Sequence, residues 1–124
     1  MLAKKLFYIN GAWVEPLEGQ DHLVINPATE EVSAIISLGG QKDTDEAVAA
    51  AQAAFSSWMS TPPAARIALV EKLLEEYKKR GGDLAEAISL EMGAPIDMAH
   101  RDQVSAGVSH IKNFLRAARD FTFD

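Results

Sequence analysis

The sequence is organised around the stretch DTDEAVAAAQAAFSSW at residues 43–58. Its larger apolar side chains recur at helical spacing, and much of the remainder is alanine, the residue with the highest helix propensity. We expect Asp43 to cap the first turn while Glu46, three residues on, reaches back to the cap amide. Because alanine lets a helix backbone lie close against a sheet or another helix, the stretch predicts a packing element that carries no chemistry.

Short strands and tight turns precede this helix. Residues 6–9 and 12–14 flank Asn10-Gly11. Because both central residues of a type I′ turn need positive φ, this pair predicts a two-residue hairpin. A second strand pair is predicted at residues 22–25 and 32–38, joined by the turn NPATE. The N-terminal part therefore predicts two short hairpin-like strand pairs.

Two shorter helices are predicted next. The second helix begins near Pro63, a residue favoured in the first helical turn, and ends at Gly81-Gly82. The third begins at Asp83, where Glu86 completes a capping box, and ends at Gly93. Glycine therefore marks the predicted end of each helix.

The fourth predicted helix is long, from about Ile96 to Arg119. Its apolar residues step by four, three, four and three positions and form one stripe, made of Val104, Val108, Ile111, Leu115 and Ala118. Phe121 and Phe123 then alternate with a polar residue, as at the start of a strand. The sequence thus predicts an α/β chain, with strands at about 6–38 and four helices at about 43–119.

Composition narrows the function. The 124 residues carry a net charge of −6, which disfavours nucleic acid and anionic membranes as partners. The absence of cysteine excludes disulfides, cysteine metal sites and a cysteine nucleophile within this sequence. Residues 6–9 are too short for a signal-peptide core, and no run approaches the roughly 18 apolar residues of a membrane span. We therefore expect a cytoplasmic protein.

Five features in order resemble the opening of the aldehyde dehydrogenase superfamily. They are INGAW at residues 9–13, NPATEEV at 26–32, the helix at 43–58, Arg66 with its leucines, and EMGAP at 91–95. Each feature alone is weak, whereas the ordered set covers nearly the whole chain. The family often has glycine where Glu30 stands and lysine where Ala94 stands, and we interpret both as subgroup differences.

The resemblance implies the N-terminal part of a dinucleotide-binding, Rossmann-like domain over residues 1–124, with the catalytic and oligomerisation parts absent. Members of the family oxidise an aldehyde to a carboxylic acid through a cysteine thiohemiacetal and pass a hydride to NAD or NADP. This sequence has neither the cysteine nor a glycine-rich phosphate motif. We therefore expect no catalytic residue, no cofactor-binding residue and no activity from the chain alone.

Three residues acquire candidate roles by the same resemblance. In many members the acid equivalent to Glu91 helps to hold a structural cation, together with backbone carbonyls near Val24-Ile25. The alternative is a helix residue that faces water. The family helix that lines the substrate tunnel would place Asp102 and Ala106 toward the aldehyde.

Three polar residues of the fourth predicted helix could suggest metal ligands. Asp97, His100 and Asp102 lie on or near one predicted helix face, but no second histidine or cysteine stands at ligand spacing. A solvated polar face is therefore the favoured interpretation of this cluster.

Two functions remain open from sequence. The first is the N-terminal segment of an NAD(P)-dependent aldehyde dehydrogenase, whose partner is the remainder of that chain. The alternative is a truncated non-catalytic interaction or structural module, which would bind a partner through its uncovered helix faces. In either case we expect the isolated chain to self-associate through its apolar helix faces. The reading frame beyond Asp124 would distinguish them. The sequence specifies neither the aldehyde nor the choice between NAD and NADP.

Overall fold

The computed structural model describes residues 2–122. The chain divides between Ser60 and Thr61 into two compact units. Within the described residues, the first unit contains five strands and one helix, and the second unit is helical. The chain is therefore α/β, as expected.

The first unit forms two small sheets. Its strands are β1 (Leu2–Lys4), β2 (Phe7–Ile9), β3 (Ala12–Val14), β4 (Gln20–Ile25) and β5 (Val32–Leu38). One sheet has the order β1-β5-β4, with β1 parallel and β4 antiparallel to β5. The other is the hairpin β2-β3. Both predicted strand pairs are therefore present, and the sequence analysis missed only the parallel strand β1.

The turn of the β2-β3 hairpin is the one that its sequence predicts. Asn10 and Gly11 have φ angles of 52° and 78°, and β2 pairs with β3 directly across them. Tyr8 and Trp13 are cross-strand partners whose ring centroids lie 5.2 Å apart. This contact adds aromatic packing to the short hairpin.

The turn between β4 and β5 is held by Asn26. Its side-chain oxygen accepts a hydrogen bond from the Ala28 amide at 2.9 Å, and its carbonyl oxygen accepts one from the Glu30 amide at 2.8 Å. Glu30 has a φ of 61°, the left-handed region that favours glycine. The backbone therefore explains why glycine suits this position of the turn.

Helix α1 (Gln41–Met59) begins before the predicted start. Gly40 is the N-cap and Asp43 occupies the third helical position, where its carboxylate accepts a hydrogen bond from the Gly40 amide at 2.9 Å. The prediction that Asp43 caps the helix with Glu46 was therefore wrong by one turn. The extended Gly40 backbone allows the cap to form earlier.

The second unit consists of helices in sequence. They are α2 (Pro63–Lys79), α3 (Gly81–Met92), α4 (Ile96–Met98), a π-helical turn (Ala99–Val104) and α5 (Ser105–Asp120). None of the helices in residues 2–122 is long and apolar enough to cross a membrane.

Glycine ends one of these helices and begins another. Gly93 has a φ of 67° and ends α3 in the left-handed conformation, as predicted. Gly81 and Gly82 instead begin α3, so the predicted end of the second helix at this pair was wrong. The predicted capping box at Asp83 is absent, because α3 has no side-chain cap hydrogen bond.

The predicted fourth helix is interrupted by the π-helical turn. Val104 belongs to that turn, and the remainder of the predicted stripe belongs to α5. Because a π turn holds an additional residue, positions before and after it do not follow one α-helical period. Phe121 lies in no strand, and Phe123, the other apolar residue of that predicted strand, lies outside the described residues.

The core of the second unit is built on small side chains. Ala85 and Ala99 are both 0% exposed and pack with Val104, and partly buried side chains surround them: Tyr77, Leu84 and Ile88. Small residues bring α3 and the π-helical turn close together. This packing determines where the residues of that turn lie.

Candidate functional site

Glu91 lies exposed in the last turn of α3. Two hydrogen bonds of Ser89, one accepted and one donated, fix the backbone just after Glu91. The Gly93 amide donates to the Ser89 carbonyl oxygen at 3.0 Å, and the Ser89 hydroxyl donates to the Ala94 carbonyl oxygen at 2.7 Å. The helix end that carries Glu91 is therefore well defined, and its carboxylate faces solvent within the second unit.

Asp102 lies exposed in the π-helical turn and pairs with its neighbour. Two nitrogens of Arg101 each donate to the Asp102 carboxylate at 3.2 Å. These hydrogen bonds and the attraction between the two charges raise the pKa of Arg101. Asp102 is therefore held by an adjacent cation in this structure.

Ala106 is exposed in the first turn of α5, four positions after Asp102. The Ser105 hydroxyl, between them in sequence, donates to the Asp102 carbonyl oxygen at 3.1 Å. Among residues 2–122 no group of three or more His, Cys, Asp or Glu side chains is arranged to hold a metal ion. The cluster Asp97, His100 and Asp102 accordingly provides no such arrangement.

A buried carboxylate organises the first unit. Asp43 is only 6% exposed and accepts hydrogen bonds from three backbone amides: Leu17 at 2.6 Å, Glu18 at 3.2 Å and Gly40 at 2.9 Å. The loop before β4 is thereby attached to the start of α1. Glu18 strengthens the attachment, since its carboxylate accepts from the Lys42 amide at 3.2 Å and pairs with the Lys42 ammonium at 3.0 Å.

The hydrogen bonds determine the charge state of Asp43. The amide of Gly40 has the largest effect and lowers the pKa of Asp43 below its ordinary value of 3.8, with further contributions from Leu17 and Glu18. Burial opposes this shift. Sequence analysis identified Asp43 as a helix-start residue but could not find the distant loop amides that it binds.

An apolar groove lies between α2 and α5 in the second unit. It encloses about 200 Å³ and is lined by Pro63, Arg66, Ile67, Val70, Phe114, Leu115 and Ala118. Glu71 pairs with Arg119, whereas Tyr77, further along α2, packs against Gly107, earlier on α5. The two helices are therefore antiparallel, and the groove lies near the start of α2 and the end of α5.

The sequence of residues 13–123 matches the profile described as the Aldehyde dehydrogenase family. The chain belongs to the aldehyde dehydrogenase family. A putative aldehyde dehydrogenase of Staphylococcus saprophyticus is 39% identical over 94% of this chain and 25% of its own length. A 3-succinoylsemialdehyde-pyridine dehydrogenase of Pseudomonas sp. is also 39% identical, over 95% of this chain and 25% of its own length.

Solved structures agree with this assignment. An aldehyde dehydrogenase from Bartonella henselae superposes with a TM-score of 0.97 at 52% identity, over 99% of this chain and 26% of that one. Aldehyde dehydrogenase C from Pseudomonas syringae, solved as a mutant with NAD⁺ and octanal, gives 0.93 at 41% identity, over 96% and 24%. The chain thus spans about a quarter of the length of these relatives, and it matches their N-terminal part.

Proposed function

We propose that this chain acts as the N-terminal segment of an NAD(P)-dependent aldehyde dehydrogenase and requires the remaining polypeptide for activity. The observation that supports the proposal is the match of nearly the whole chain to the N-terminal quarter of such enzymes. In the proposed enzyme, a cysteine, a glutamate base and the nicotinamide site come from the rest of the protein. This segment contributes structure to the cofactor-binding domain.

The proposal includes roles for the three residues identified by resemblance. Glu91 supports a structural cation, and its exposed carboxylate at a fixed helix end suits that role. Asp102 and Ala106 face the aldehyde from consecutive turns of the helical stretch. We further propose that residues 1–124 form part of one cofactor-binding domain and that the protein is cytoplasmic. We also propose that the isolated chain self-associates through its apolar helix faces.

A chimera tests the proposal in a complete protein. In this chimera the matched N-terminal segment of the Bartonella henselae enzyme is replaced by residues 1–124. We expect the chimera to oxidise aldehydes and reduce NAD⁺ or NADP⁺, as measured by nicotinamide absorbance, and the isolated chain to show no turnover.

Two outcomes would contradict the proposal. Turnover by the purified isolated chain would remove the requirement for the remaining polypeptide. A folded chimera without activity, beside an active Bartonella henselae parent, would favour the alternative of a non-catalytic interaction or structural module.

A further inference from the structure

The hairpin β2-β3 stands apart from the larger sheet of the first unit. It forms a two-stranded sheet of its own, with three residues in each strand, beside the three-stranded sheet β1-β5-β4. An isolated two-stranded hairpin is only marginally stable in water. We therefore expect this hairpin to open locally more often than the three-stranded sheet does.

Asn10 and Gly11, at the tip of this hairpin, carry the chemical groups that react in deamidation. Both residues are exposed to water, and the strand register pairs Ile9 with Ala12, so the Gly11 amide lies outside the strand ladder. A Cβ at position 11 would meet nothing within 4 Å, so the space beside Gly11 is open. The attacking backbone nitrogen, the side-chain amide and water therefore meet at this turn.

The sequence contains three asparagines, and the other two lack one of these conditions. Asn26 is followed by Pro27, whose backbone nitrogen carries no hydrogen to lose. Asn113 lies within α5, where the next amide is held by helical hydrogen bonding and belongs to the bulky residue Phe114. Asn10 is thus the asparagine whose following amide is both unhindered and outside regular secondary structure.

We propose that Asn10 is a site of spontaneous deamidation and that its isoaspartyl product opens the β2-β3 hairpin. The backbone nitrogen of Gly11 loses its proton and bonds to Cγ of Asn10, and the side-chain nitrogen leaves as ammonia. Water then opens the resulting succinimide ring at either carbonyl carbon, which gives aspartate or isoaspartate. The reaction consumes only water, and it does not depend on the proposed function.

The two products have different consequences for the turn. Asp-Gly suits a type I′ turn as Asn-Gly does, so the aspartyl product keeps the hairpin. Isoaspartate instead carries the main chain through its side-chain carbon, which adds a backbone atom between Ile9 and Ala12. The pairing of these two residues and the ring contact of Tyr8 with Trp13 are then lost. The isoaspartyl product therefore changes the structure as well as the charge.

Incubation of the purified chain at neutral and at mildly alkaline pH, followed by mass spectrometry of its peptides, tests the site. We expect the peptide that contains Asn10 to gain the mass difference between an amide and a carboxyl group. The peptides with Asn26 and Asn113 should keep their mass over the same period. The reaction should be faster at alkaline pH, because the attacking nitrogen must lose its proton.

Two substitutions of Tyr8 test whether hairpin opening controls the reaction. Tyr8→Ala removes the ring contact with Trp13, so its Asn10 should deamidate severalfold faster than in the parent protein. The rate should approach that of the chain unfolded in urea, where the hairpin is fully open. Tyr8→Phe keeps an aromatic ring at this position and is the matched control, with a rate close to that of the parent.

Hydrogen exchange tests the effect of the product. The backbone amides of residues 7–14 should exchange faster in the isoaspartyl form, separated by chromatography, than in the parent protein. Asn10→Asp is the control for charge, since it adds the same carboxylate to an ordinary backbone. Its amides should exchange as slowly as those of the parent.

Four results would overturn the inference. An Asn10 peptide that keeps its mass in the folded chain but gains it in urea would mean that the turn prevents the reaction. Equal rates at Asn10 and Asn113 would remove the assigned site. Equal rates in the parent and both Tyr8 variants would mean that hairpin opening does not control the reaction. Equal hydrogen exchange in the isoaspartyl form and Asn10→Asp would mean that the product keeps the hairpin.

Discussion

The ring of Tyr77 lies so close to Gly107 that a Cβ at position 107 would stand 2.6 Å from Tyr77 Cζ. Helices α2 and α5 therefore approach each other where α5 carries no side chain. We predict that Gly107→Ala destabilises the chain by about 1–3 kcal/mol, since overpacking outweighs the gain in helix propensity. Urea unfolding measures the change.

Gly82→Ala is the matched control for this contact. A Cβ at position 82 meets nothing within 4 Å. The alanine should therefore stabilise the chain by about 0.5–1 kcal/mol. Equal effects of the two substitutions would mean that the Tyr77 contact does not constrain α5.

Asp43→Asn tests the attachment of the loop before β4 to α1. Because the pKa of folded Asp43 lies below 3.8, its carboxylate stabilises the fold above that pH, and the contribution is lost as the pH falls through the folded pKa. We expect Asp43→Asn to lower the thermal midpoint at pH 7 and to flatten its fall below about pH 4.

The neighbouring acid Asp45 provides the control for that pH profile. It is exposed and accepts a hydrogen bond from the Gln41 side chain at 2.7 Å. In Asp45→Asn the thermal midpoint should fall below about pH 4 as it does in the parent protein. An Asp43→Asn profile that parallels the parent at acid pH would contradict the assigned role.

Glu30→Gly tests the strain in the turn between β4 and β5. Glu30 has a φ of 61°, and a left-handed conformation costs an L-residue about 1–2 kcal/mol. We expect a gain of about 1 kcal/mol in the free energy of unfolding, reduced in part by the greater freedom of glycine in the unfolded chain. Glu31→Gly, where φ is not positive, should destabilise instead. A loss of stability from Glu30→Gly would show that the turn is relaxed with glutamate.

Glu91→Gln in the chimera tests the proposed cation. The substitution removes the carboxylate charge with little change of shape, so we expect it to abolish the rise in thermal midpoint that K⁺ or Na⁺ produces. Glu86→Gln, exposed on the same helix, should preserve that rise. If parent and Glu91→Gln respond alike to the cations, Glu91 is an ordinary surface acid.

The isolated chain should be a helical oligomer by circular dichroism and light scattering. Large apolar side chains are exposed in both units, among them Trp13, Phe55, Leu73 and Phe114. Contiguous apolar patches favour association in water. A monomer that melts cooperatively and binds no dye for apolar surface would contradict this expectation.

The features that sequence predicted correctly depend on neighbouring residues. Asn10-Gly11 specifies its hairpin because both residues accept positive φ, and Gly93 ends α3 for the same reason. The order of strands and helices followed from such local signals, and the family followed from several of them in sequence. The order of the strands and helices was therefore predictable from local sequence.

The features that sequence missed depend on distant contacts. Three residues of β1 carry no strand signal of their own, and their pairing depends on β5. The π-helical turn lies where Ala99 and Val104 pack into the core, which a repeat of apolar residues does not reveal. Asp43 likewise acquires its role from amides that are 25 and 26 positions away. Asp102 lies on this π-helical turn, so its position could not be predicted from the apolar repeat either.

The pairing of β1 with β5 has a consequence for how the protein is made. Leu2 is synthesised before β2, β3 and β4, whereas its partner Ala34 is synthesised only after them. Contacts between residues far apart in sequence form slowly, because the intervening chain must first be brought together. Strand β1 is therefore among the last strands of this unit to enter its sheet, and until β5 emerges its backbone is open to chaperones and to wrong partners.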